Sequence, residues 1–117
     1  MTLEASLTAT LTPLCPRTFP VVAPFGTALP YVTWQHIGGR PTRYVDNTAA
    51  DNRNATIQIN TWAATPAQAM ALIRSIENAL CARPDLQVEV QGEPVVAYDD
   101  GDELSGYLQS FSIWGAR

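Results

Sequence analysis

The residues able to do chemistry are few and scattered. His36 is the only histidine of the 117 residues, and it falls in a stretch rich in aromatic and β-branched side chains, beside Trp34 and Ile37. A nucleophilic or metal role needs a serine, cysteine or carboxylate motif at matching spacing, and none accompanies it. The expectation is a sheet histidine making an ordinary hydrogen bond. Asp99, Asp100, Asp102 and Glu103 form an acidic run with Gly101 and Gly106, but they lack the alternating oxygen ligands and distant glutamate of a calcium loop. They read as a solvated turn suited to electrostatic contact. Cys15 and Cys81 are too few and too far apart for a disulfide framework or zinc knuckle, so free, buried thiols are expected. No phosphate loop, nucleotide fingerprint or catalytic carboxylate pair appears, and the sequence calls for no catalytic residue, metal or cofactor.

The elements that would position any site are better marked. Along Arg53 to Trp62, Ala55, Ile57 and Ile59 alternate with Asn54, Thr56, Gln58 and Asn60, the pattern of a half-buried strand. Trp62 continues the polar face. There it stands apart, because aromatic residues anchor protein interfaces. Thr65, Pro66 and Gln68 then supply an N-cap hydroxyl, a proline at the first helical position and a capping-box glutamine. From that start Ala69, Leu72, Ile73, Ile76, Ala79 and Leu80 share one side of a helix that Pro84 stops, and Ala71, Ser75, Asn78 and Ala82 share the other.

Leu3, Leu7 and Leu11 recur at helical spacing, while Ala5 and Ala9 between them also allow a strand. Glu4 near the start and Pro13 at the end favour the helix. Prolines 13, 16, 20, 24 and 30 leave room only for a short edge piece such as Phe19 to Ala23. Tyr31 to Ile37 is a strand. Gly38 to Asn52 is a polar connection of about 15 residues, longer than most in compact domains, and so a candidate contact loop through Arg40, Arg43 and Tyr44. Leu86 to Val90 and Val95 to Tyr98, joined through Gly92 and Pro94, predict a hairpin, and Tyr107 to Trp114 is the last strand. The order predicts a single α+β domain over residues 1–117, a mainly antiparallel sheet with an N-terminal helix and a longer central helix on one face.

Composition bounds the partners. The net charge is −4 with seven arginines and no lysine, which argues against specific nucleic-acid binding. No apolar run approaches a membrane span and no secretion signal opens the chain, so it is expected in the cytoplasm that makes it. The Asn54-Ala55-Thr56 sequon is then chance.

The succession of the N-terminal helix, TFPVVAP, LPYVTWQ, a variable polar loop, RNATIQINTWA, TPAQAMALIRSIENAL and SGYLQSFSIWG resembles the small tail completion proteins of long-tailed bacteriophages, relatives in fold of tail terminators and tail-to-head joining proteins. The resemblance spans nearly the whole chain. It implies a non-enzymatic structural role in a phage or prophage: a ring of copies, usually six, at the head-proximal end of the tail tube, touching the tube protein and the head-tail connector. Gln58, Asn60 and Trp62 then become a candidate subunit contact, with Arg40, Arg43, Tyr44, Asp99, Asp100, Asp102 and Glu103 as candidate loop contacts. The alternatives are a neck or connector protein on the head side, or a small ligand-binding module or enzyme with a pocket built from His36, Asp46 or Asp51.

Overall fold

The computed structural model describes residues 2–41, 46, 51–97 and 105–116. Two helices cover one face of a six-stranded sheet. Helix α1 spans Leu3–Leu11, with the Thr2 hydroxyl accepting from the Ala5 N–H at 3.2 Å and Glu4 in the first turn. The leucine spacing therefore resolves as a helix: Leu3, Leu7 and Leu11 are fully buried against α2 and the sheet. Helix α2, Pro66–Cys81, starts where the sequence marks it, with the Thr65 hydroxyl accepting from the Gln68 N–H at 3.3 Å. Its buried side is Ala69, Ile73, Ile76 and Leu80.

The strands are β1 (Thr18–Pro20), β2 (Tyr31–Gly38), β3 (Asn52–Ala63), β4 (Gln87–Val90), β5 (Val95–Ala97) and β6 (Ser105–Ala116). The order across the sheet is β1-β2-β3-β6-β4, with β5 also on β6. All neighbours are antiparallel except β1 and β2. The fold is thus α+β, as expected, and β1 lies at an edge, where Pro20 costs the sheet no central hydrogen bond.

The expected hairpin does not form. β4 pairs with Phe111 to Trp114 and β5 with Gly106 to Leu108, both antiparallel to β6, so the two are consecutive pieces of one interrupted strand. Gly92, at φ 150°, and Pro94 break the ladder between them, and the chain never reverses. The physical reason is competition for a neighbour. β6 is twelve residues long, enough to take both pieces along one side.

β3 and β6 pair over their whole length, from Asn52 opposite Ala116 to Ala63 opposite Ser105. Their inward side chains, Ala55, Ile57, Ile59, Phe111 and Ile113, meet the helix leucines and isoleucines in one buried cluster. Two polar side chains enter this layer with partners. The Thr61 hydroxyl donates to the Ala69 carbonyl at 3.0 Å, tying β3 to the first turns of α2. Gln109, 2% exposed, donates both amide protons, to Glu77 at 2.8 Å and to the Gly92 carbonyl at 2.7 Å. That bond pins the break between β4 and β5 to the core. Cys15 is buried and Cys81 exposed at the end of α2, both free, which corrects the expectation that both thiols are buried.

Candidate protein interface

Alternation along the strands sends every second side chain away from the helices. On β2 these are Tyr31, Thr33 and Gln35; on β3, Asn52, Asn54, Thr56, Gln58, Asn60 and Trp62; on β6, Gly106, Leu108, Ser110, Ser112, Trp114 and Ala116, all matched by the pairing registers. None is charged. Across β2, β3 and β6 the face carries three aromatic residues and no charge, with Glu89 of the edge strand β4, opposite Ser112, as its charged strand residue; that is the composition of an interface core, where charged residues are depleted and aromatic ones enriched.

The sequence-predicted residues Gln58, Asn60 and Trp62 all lie on this face. The Gln35 amide donates to Gln58 Oε1 at 2.8 Å, which holds both side chains along the sheet surface. Trp62 is opposite Tyr31, with ring centroids 6.4 Å apart and planes tilted by 32°. On the other side the indole covers Gly106: a Cβ there would come within 2.6 Å of Trp62 Cε3 and 2.8 Å of Cζ3. The tryptophan is therefore seated between a tyrosine and a glycine, and half-buried. Asn60 Oδ1 is closed off from solvent with no donor among the described residues.

At the far end of the face Asn54 is buried and fully used. Its amide donates to Ser112 Oγ at 2.9 Å and the Ile113 carbonyl at 3.3 Å, and its Oδ1 accepts from the Arg40 N–H at 2.9 Å. Gly39 passes so close that a Cβ would meet the Asn54 carbonyl at 2.5 Å, and its φ of 151° leaves the backbone where only glycine is comfortable. Arg40, exposed, thus leaves the sheet from a fixed base. Arg43, Tyr44, Asp99, Asp100, Asp102 and Glu103 lie outside the described residues.

An open depression of about 320 Å³ adjoins Trp62, lined by Val21, Val22, Ala23, Tyr31, Thr33, Asn60 and Trp62. Sequence reading missed Tyr31 and the two valines as part of this surface. The pairing of Tyr31 with Trp62 depends on register, and only the VVAP run among prolines hints at an exposed apolar segment.

The ion pairs that involve the sheet lie on the helix side. His36 Nε2 lies 3.4 Å from Glu4 Oε1, Arg53 pairs with the same carboxylate, and the His36 ring meets Trp34 edge-on at 5.7 Å. Histidine and arginine there join α1 to the sheet, on the face opposite Trp62. Asp85 accepts two bonds from Arg83, at 2.8 and 3.1 Å, and one from Ser6 Oγ at 2.6 Å. The guanidinium and then the hydroxyl hold this carboxyl well below the usual range, while the carboxylate raises Arg83. Both ends of that contact are structural, clasping α1 to the turn after α2. Among the described residues no cluster of three or more His, Cys, Asp or Glu is placed to hold a metal ion, and no helix is long and apolar enough to cross a membrane.

The family model described as Tail completion protein gp17 matches residues 3–112. The chain belongs to that family. The match runs from the first residue of α1 into β6, so the sheet and both helices are those of a phage tail completion protein. No match to a curated protein was found.

Proposed function

We propose that this chain completes the tail by assembling, as six identical copies, into a ring at the head-proximal end of the tail tube, where it stops tube growth and presents a surface to the head connector. The role is one of shape and contact without catalysis, carried out by residues 1–117 as one domain, in the host cytoplasm during assembly and in the virion thereafter. Family membership supports the class of role. The single structural observation that supports assembly is the outward face of β2, β3 and β6, which carries no charge and whose Tyr31, Trp62 and Trp114 lie on the side of the sheet away from the helices.

On this reading Gln58, Asn60 and Trp62 contact a neighbouring subunit. Arg40, Arg43 and Tyr44 on one loop and Asp99, Asp100, Asp102 and Glu103 on another reach the tube protein and the connector. Replacing Trp62 by alanine is expected to abolish ring formation; unchanged rings would remove that residue from the contact. Deleting the gene and imaging lysates by negative stain tests the role itself. Filled heads beside unjoined or overlong tails are expected, and intact infectious particles would contradict it.

A further inference from the structure

The most exposed large apolar side chains gather at two opposite edges of the sheet. Val21, Val22 and Phe25 are 67, 73 and 108% exposed beside β1, and Val95 and Val96 are 59 and 65% exposed on β5. The registers put the two edges at one level. Thr18 aligns across the sheet with Val32, Thr61, Tyr107 and Val96, and Phe19 with Thr33, Asn60, Leu108 and Val95. Directions follow from the same pairings: β1 runs with β2 and β6, against β3 and β5. A β5 strand brought beside the β1 edge of another copy in the same orientation is therefore antiparallel to it, the more stable sense of pairing.

The β1 side is shaped to receive something. The Pro20 carbonyl accepts from the Val22 N–H at 2.8 Å, and Val21 turns at φ 68°, a conformation costly for a β-branched residue. These two features carry Val21 and Val22 off the β2 ladder to wall the depression of about 320 Å³ floored by Tyr31, Asn60 and Trp62. The Asn60 carboxamide there has an acceptor oxygen without a donor among the described residues. Among the described residues β5, in turn, has a strand partner on one side only, β6.

We infer that the β5 edge of a second copy docks beside β1 at this depression, with Val95, which shares the outward face with Asn60 and Leu108, entering it. The inference rests on the ring reading above and names its contact. Because the two surfaces differ and lie at opposite edges, the contact is head-to-tail, the kind that repeats and closes into a ring. The side chains that meet are uncharged, so copies of net charge −4 approach there without opposing carboxylates.

Val22→Asp and Val95→Asp test it in the full chain. Both positions are mostly exposed, so each variant is expected to melt like the wild type. By sedimentation velocity each variant alone should associate about 100-fold more weakly, the cost of burying an unpaired carboxylate. A one-to-one mixture should recover dimers, because V95D keeps the depression and V22D keeps the edge. A mixture that stays monomeric overturns the head-to-tail contact. Rings that persist in both variants overturn it too and leave the ring reading standing, whereas a wild type that forms no ring in solution or on tails overturns the ring reading itself.

Discussion

Gly106→Ala measures how firmly Trp62 is seated. The new Cβ would lie 2.6 and 2.8 Å from Trp62 Cε3 and Cζ3 and 3.0 Å from the Thr61 carbonyl oxygen. Carbon atoms pack at about 3.5–4.0 Å, so the indole must move by roughly 1 Å and give up part of its contact with Tyr31. Overpacking of this kind costs about 1–3 kcal/mol. With an unfolding entropy of about 2.1 cal/mol/K per residue, each kcal/mol over 117 residues shifts Tm by about 4 °C, so a fall of about 4–12 °C is expected. The same substitution in a Trp62→Ala background meets only the Thr61 oxygen, and its cost should drop to about 1 kcal/mol or less, a coupling that a double-mutant cycle reads directly. Thermal melts of the four proteins by circular dichroism supply the data. Equal costs in both backgrounds, or no cost in the wild type, would refute the placement of Trp62 over Gly106.

Three further outcomes follow from the packing and the charges. Phe111→Ala, at a fully buried position between β3 and β4, should cost about 3–5 kcal/mol in a urea melt. Thr65→Ala removes the hydroxyl that caps α2 and should cost about 0.5–2 kcal/mol by the same measure. Asp85 has a folded pKa held below its unfolded value of about 3.9, so its contribution is present above about pH 4 and is lost as pH falls further through the folded value. Urea midpoints measured from pH 5 to pH 2 should therefore fall less steeply for Asp85→Asn than for the wild type; parallel slopes would show the carboxylate contributes nothing.

How much of this was legible in the sequence varies by element. β3 and α2 could be read almost to the residue, because alternation and the Thr65-Pro66-Gln68 start are local signals that agree with the tertiary structure. α1 carried two periods at once, and burial of Leu3, Leu7 and Leu11 against α2 and β6 decides between them. β4 and β5 show the limit most clearly. Alternation says which face a residue takes but not which strand lies beside it, so two extended pieces joined through Gly92 look like a hairpin until the length of β6 is known. The site was legible as a face and not as a surface: Trp62 among polar neighbours stood out, whereas the pairing of Tyr31 with Trp62, the glycine beneath the indole and the left-handed turn at Val21 depend on register and backbone geometry. Gln109 was similarly hidden, since its partners Glu77 and Gly92 are 32 and 17 residues away.

The central claim, a ring of this chain where tail meets head, is tested most directly by cryo-electron microscopy of complete particles carrying it. The account predicts density for six copies in a closed ring between the last tube layer and the connector, with the outward sheet face bearing Trp62 buried between neighbours. Density for the chain on the head side of the connector, at the distal tip, or nowhere in the particle would contradict it.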